Sequence, residues 1–89
     1  MKVICKVKVK NSLGLHTRPA ASIVKLLQQS QSKVTFTYKS ETINARSIMS
    51  ILMLAAKKNS QIEITAEGSD AEATLAKLVQ AFEQEFGES

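Results

Sequence analysis

The stretch Leu13-Gly14-Leu15-His16-Thr17-Arg18-Pro19-Ala20-Ala21 (residues 13–21) lies where the hydrophobic period of the chain changes. Before it, residues 2–9 alternate between apolar and mostly basic side chains, which predicts a half-buried strand. After it, apolar residues recur at helical spacing until about residues 28–30, and Pro19 falls in the first turn, where its missing N–H costs little. The chain is therefore expected to pass from a strand into a helix at this stretch.

The same two periods recur along the rest of the chain. Three more segments alternate like strands, namely residues 33–38, 41–44 and 61–66. A tight turn is predicted at Lys39-Ser40. A second helix is expected behind Ser47, a favoured N-cap residue, with its end at Lys57-Lys58-Asn59, and a third behind Gly68-Ser69-Asp70. Because all four strands alternate, the order β-α-β-β-α-β-α predicts an α+β open-faced β-sandwich, a four-stranded antiparallel sheet with three helices on one face.

Composition restricts the class of protein. The 89 residues are expected to form one domain, residues 1–89, with a formal net charge of +4. The basic residues gather in the first third, which contains no acid, so this part should attract anions. Cys5 is the only cysteine, which fits a reducing compartment. There is no secretory signal pattern and no apolar run near the ~20 residues that span a bilayer, so we expect a cytoplasmic protein without membrane insertion.

His16, the only histidine, is the strongest candidate for chemistry. Imidazole has an unperturbed pKa of about 6.5 and can act as a nucleophile or base at neutral pH. A helix start holds anions well, and the fork of Arg18 matches phosphate oxygens. One His and one Cys cannot fill a zinc shell, so no metal is expected, and we expect no cofactor either. Ser47 lacks a nearby acid to complete a hydrolase triad, so hydrolysis is not expected. These residues favour His16 as the acceptor of a phosphoryl group.

Two segments carry a family resemblance. Residues 13–21 resemble the active-site signature of HPr, the histidine-containing phosphocarrier family of the bacterial phosphoenolpyruvate-dependent phosphotransferase system. Ala45-Arg46-Ser47-Ile48-Met49 resembles the regulatory-serine motif of that family, and the spacing and element order agree. The resemblance implies that His16 accepts a phosphoryl group on Nδ1 from phospho-Enzyme I and passes it to an Enzyme IIA, while Arg18 positions the phosphate. It implies a carrier, not a stand-alone turnover enzyme.

Ser47 has two compatible interpretations. It is a natural helix N-cap, and the resemblance also implies phosphorylation by an HPr kinase/phosphorylase. A phosphate would add up to about −2 of charge and oppose docking to an acidic partner. The resemblance further implies a docking surface on the second helix and the start of the first, formed by Leu15, Thr17, Ile48, Met49, Ser50 and Met53.

The branch of the family stays open at this point. Leu52-Met53-Leu54-Ala55-Ala56 and Phe86-Gly87-Glu88 look closer to the nitrogen-related branch (NPr), whereas Pro19 looks like the sugar branch. The first hypothesis is a sugar-uptake phosphocarrier, and the alternative is a regulatory carrier that controls other proteins without sugar transport. A nucleic-acid-binding domain is a third hypothesis. Phe36 and Tyr38 alternate on one strand, but the glycines and basic residues of an RNP-like motif are absent. We therefore expect that the chain binds no nucleic acid. We also expect it to be a monomer.

Overall fold

The order of elements predicted from the sequence is confirmed. The computed structural model describes residues 1–88, so Ser89, the last residue of the expected domain, lies outside the described residues. The elements are β1 (Lys2–Lys8), α1 (Thr17–Leu27), β2 (Lys33–Tyr38), β3 (Glu41–Asn44), α2 (Ile48–Met53), β4 (Gln61–Glu67) and α3 (Ala71–Glu83). A single helical turn, Glu85–Gly87, follows α3. The strands form one antiparallel sheet in the order β1-β4-β2-β3.

The helices cover one face of this sheet, as the alternating strands predict. Ile62, Ile64 and Ala66 of β4 are fully buried, while the residues between them are only half-buried. The ring of Phe36 from β2 meets that of Phe82 from α3 edge-on, with centroids 5.9 Å apart. Burying one such side chain is worth about 1.5–3 kcal/mol, so these contacts hold the helical layer on the sheet.

The hairpin between β2 and β3 has the tight turn expected at Lys39-Ser40. Both residues have positive φ, 49° and 71°. Positive φ at both central residues is typical of a type I′ turn, whose twist matches the flanking strands. Tyr38 and Glu41 pair directly on either side of the turn, so two residues close the hairpin without the usual Asn-Gly.

The predicted end of α2 is wrong. The helix ends at Met53 and not at Lys57-Lys58-Asn59, because Ala55 adopts a left-handed φ of 53°. The carbonyl of Ala56 then accepts a hydrogen bond from the N–H of Leu15 at 2.9 Å. A continuing helix would direct that carbonyl along its own axis, so the contact with the loop before α1 requires the early end.

Candidate functional site

His16 is the N-cap residue of α1. Its backbone is extended, and its carbonyl accepts the first helical hydrogen bond from the N–H of Ala20 at 3.1 Å. The side chain of His16 makes no capping hydrogen bond, and the first turn of the helix contains no acidic residue. Pro19 has no N–H, so the first-turn donors without a helical acceptor are those of Thr17 and Arg18. A positively polarised helix end therefore lies open beside the imidazole.

The loop that presents His16 depends on a close backbone approach at Gly14. Gly14 has a φ of 70°, in the left-handed region that favours glycine. A Cβ at this position would lie 2.9 Å from the Cα of Lys57 and closer still to the carbonyl oxygen of Ala56. Leu15 then hydrogen-bonds to that same carbonyl. The loop is thus fixed against the α2–β4 connection one residue before His16.

The imidazole of His16 is engaged by a carboxylate from the far end of the chain. Nε2 lies 3.0 Å from Oε1 and 2.9 Å from Oε2 of Glu88. The Nδ2 of Asn11 donates to Oε1 of Glu88 at 2.9 Å and also to the carbonyl of Gly14 at 2.6 Å. One carboxylate therefore joins the loop before α1 to the segment after α3.

Reasoning from the sequence missed both Glu88 and Asn11. Asn11 precedes His16 in the same loop without any motif that marks it, and Glu88 lies 72 positions from His16. One signal pointed toward such a contact, because the first third of the chain has no acid for its cations or its imidazole. That signal predicts an acid from elsewhere in the chain without saying which one.

Arg18 lies at the edge of the same cluster. Its side chain is 80% exposed, and Nη1 is 3.9 Å from Oε2 of Glu88. This distance permits attraction between charges but is too long for a hydrogen bond. The guanidinium is therefore close to His16 and still free to turn toward a bound anion.

The residues predicted for docking differ in their exposure. Leu15 is only 3% exposed and belongs to the core, so its predicted place on the docking surface is wrong. Its apolar side chain anchors the loop by burial. Ser50 is half-buried, whereas the side chains of Thr17, Ile48, Met49 and Met53 are exposed, and so is that of Leu13, which the sequence reasoning did not include. We call Ile48, Met49 and Met53 the α2 surface.

Ser47 caps α2, as the sequence predicts. Its Oγ accepts a hydrogen bond from the N–H of Ser50 at 3.2 Å. The preceding residue, Arg46, donates to the carbonyls of Leu27 at 2.6 Å, Ser30 at 2.8 Å and Ser32 at 2.7 Å. Arg46 thus ties the end of α1 and the segment between α1 and β2 to the start of α2.

Residues 1–88 meet neither the requirements of a metal site nor those of a membrane-spanning helix. Within residues 1–88, no three His, Cys, Asp or Glu side chains come together as a metal site would need. No helix in the same range is both long and apolar enough to cross a membrane.

Comparison with known proteins identifies the family. Residues 3–84 match the family described as "PTS HPr component phosphorylation site". A phosphocarrier protein HPr from Chlamydia muridarum (strain MoPn / Nigg) is 45% identical over 80 residues, which cover 90% of this chain and 77% of that protein. The crystal structure of HPr-C-His from Thermoanaerobacter tengcongensis is 33% identical, covers 98% of both chains and gives a TM-score of 0.93. An HPr structure from Bacillus anthracis str. Ames is 39% identical, covers 89% of this chain and 94% of that one, and gives a TM-score of 0.85.

The fold and these matches define a small phosphocarrier domain of the phosphotransferase system. The chain belongs to the HPr family. The matched range contains His16, Arg18 and Ser47, whereas Glu88 lies beyond its last residue, 84. The carboxylate on the imidazole is therefore a feature of this chain outside the matched range.

Proposed function

We propose that this chain carries a phosphoryl group on Nδ1 of His16. It takes the group from the phosphohistidine of Enzyme I and passes it to a histidine of an Enzyme IIA protein, in sugar uptake and its regulation. The observation that carries this proposal is the position of His16 at the uncapped N-terminus of α1, with Arg18 exposed two residues further on. Family membership supports the same assignment.

The site suits a group that arrives and leaves repeatedly. A phosphoryl group on the ring meets the free N–H donors of the first turn, and the guanidinium of Arg18 can turn toward its oxygens. These donors stabilise negative charge without forming a covalent bond, so the group is held and still transferable. The chemistry of phosphoenolpyruvate belongs to Enzyme I, and the carrier is regenerated after each transfer.

The α2 surface, together with Leu13 and Thr17, is the proposed docking surface for both partners. Met49 and Met53 are 69% and 74% exposed, and flexible methionines can fit several partners in turn. Arg18 adds positive charge that favours an acidic partner. We propose that the chain is cytoplasmic and that it binds each partner through this surface as a monomer.

Ser47 adds a proposed point of regulation. Phosphorylation by an HPr kinase/phosphorylase would place about −2 of charge at the start of α2, next to the α2 surface. The helix dipole tolerates this charge, so the fold should survive. Repulsion from an acidic partner should then weaken docking.

The nitrogen branch is the competing candidate. The Phe86-Gly87-Glu88 segment, which looks closer to that branch, contributes the carboxylate that contacts His16. A regulatory carrier of this kind would receive its phosphoryl group in the same way and differ only in the protein that accepts it.

A transfer assay tests the proposal. The purified chain is mixed with Enzyme I and labelled phosphoenolpyruvate, and an acid-labile, base-stable adduct is expected. His16→Ala should lose the label, whereas Lys25→Ala, which alters an exposed residue of the same helix, should keep it. Label on His16→Ala at the wild-type level would refute the proposal. The labelled wild type is then offered Enzyme IIA proteins of the sugar and nitrogen branches, and the one that removes the label decides the branch.

A further inference from the structure

We infer that Glu88 is a positioning residue that keeps the proton of the His16 imidazole on Nε2 and so leaves the lone pair of Nδ1 as the nucleophile. This inference rests on the proposed function, because it explains how His16 becomes ready to accept the phosphoryl group.

The hydrogen bonds set the position of the proton. Both carboxylate oxygens of Glu88 lie within 3.0 Å of Nε2. An ionised carboxylate only accepts hydrogen bonds, so Nε2 must be the donor and must carry hydrogen. A neutral imidazole has one ring proton, and therefore its lone pair lies on Nδ1. Among residues 1–88, Nδ1 has no hydrogen-bond partner.

Glu88 is held in place from several sides. Its side chain is 11% exposed, and Asn11, itself buried, donates to Oε1. Its N–H donates to the carbonyl of Glu85 at 2.9 Å. The ring of Phe86 packs edge-on against Phe82, with centroids 4.9 Å apart. The carboxylate thus belongs to a turn that is fixed by hydrogen bonds and packs on the core through Phe86.

Three successive residues with positive φ bring this turn back to the helix start. Glu85, Phe86 and Gly87 have φ values of 55°, 54° and 77°. Residues other than glycine adopt positive φ at a cost in free energy, so the packing of Phe86 and the hydrogen bonds of Glu88 must offset that cost. This cost is consistent with a turn whose position matters for the site.

Phosphoryl transfer to Nδ1 can proceed while the ring proton stays on Nε2. The lone pair of Nδ1 attacks phosphorus and forms the new N–P bond. The N–P bond of the donor phosphohistidine breaks, and its electron pair returns to the donor ring nitrogen. No proton leaves His16, so no separate base is needed. The phosphorylated ring is more positive than the free ring, and the carboxylate on Nε2 stabilises that charge.

The two obvious substitutions of Glu88 should affect the tautomer of His16 differently. In Glu88→Gln, the amide oxygen should face Asn11, because Nδ2 of Asn11 is a donor. The amide NH₂ then takes the position of Oε2 and donates to Nε2 of His16, which moves the ring proton to Nδ1. Glu88→Ala removes the interaction without imposing the wrong tautomer. Glu85→Gln changes an acid of the same turn and is the matched control.

Ring-nitrogen chemical shifts measure the tautomer directly. Since His16 is the only histidine, a long-range nitrogen–hydrogen NMR spectrum of the isotope-labelled chain shows a single ring. At a pH where the ring is neutral, the wild type and Glu85→Gln should carry hydrogen on Nε2. Glu88→Gln should shift the proton to Nδ1, and Glu88→Ala should show a mixture.

Phosphorylation rates with Enzyme I complete the test. Glu88→Gln should be slowed about tenfold, the value of one hydrogen bond to a charged group, and Glu88→Ala should be slowed less. A residue that only packs would show the reverse order, because Gln keeps the size of Glu. Unchanged spectra and rates in both variants, or faster transfer after removal of the carboxylate, would overturn the inference. Wild-type protein that takes no phosphate would instead refute the proposed function, and this inference with it.

Discussion

Replacing Gly14 by alanine should weaken the loop that presents His16. The φ of 70° lies in a region that costs an L side chain about 1–2 kcal/mol, while the less flexible unfolded chain returns about 0.4–1 kcal/mol. The new Cβ would also overlap the backbone of Ala56 and Lys57, which is held by its own hydrogen bonds. Overpacking of this kind costs about 1–3 kcal/mol. We therefore expect Gly14→Ala to lower the free energy of unfolding by about 1–4.5 kcal/mol.

Gly87→Ala provides a matched control for the backbone cost. Gly87 has a φ of 77°, and a Cβ there would meet nothing within 4 Å. Its substitution should cost at most about 1.5 kcal/mol, since only the backbone contributions remain. Urea denaturation of both variants and the wild type measures the two losses, and their difference isolates the overlap with Ala56 and Lys57. Equal losses of unfolding free energy in the two variants would show that the close approach to Ala56 and Lys57 is not the reason why residue 14 is a glycine.

Three further predictions concern Asp70, Ser47 and Arg18. The hydroxyl of Ser32 holds the pKa of Asp70 below its ordinary value of 3.8, so the stability that this carboxylate adds is present above that value and is lost as the pH falls through the folded pKa. Urea denaturation across pH should show that Asp70→Asn destabilises the protein at neutral pH and less in acid, unlike Glu72→Gln in the same turn. Ser47→Ala should lose about 1 kcal/mol of stability with its cap, and Ser47→Asp should bind Enzyme I more weakly in a calorimetric titration; equal affinity would leave Ser47 with its capping role alone. Arg18→Ala should slow phosphoryl transfer while its thermal unfolding stays near the wild type, because an exposed ion pair contributes little; an unchanged rate would remove Arg18 from the site.

Local patterns predict the parts of the fold that local forces decide. The four alternating strands, the start of α1 near Thr17 and the cap at Ser47 follow from the period, from Pro19 and from the preferred N-cap residues. The Lys39-Ser40 turn is also found where it was predicted. In each case the residues that determine the structure are neighbours in sequence.

Contacts between distant residues decide the rest. The end of α2 depends on the bond between Ala56 and Leu15, which lie on different elements, so cations and Asn at residues 57–59 were a misleading signal. The family resemblance places Leu15 on the docking surface, yet its side chain turns into the core. Glu88 reaches His16 only because α3 returns the chain to the start of α1. No local period records any of these contacts.

A phosphorus NMR spectrum of the isotope-labelled chain, recorded after incubation with Enzyme I and phosphoenolpyruvate, tests most directly whether His16 carries the phosphoryl group. We predict a single protein-bound phosphorus signal that is coupled to Nδ1 of the ring and disappears when the accepting Enzyme IIA is added. A phosphorus signal without coupling to a ring nitrogen, or one that persists in the presence of every acceptor, would contradict the assignment of His16 as a phosphoryl carrier.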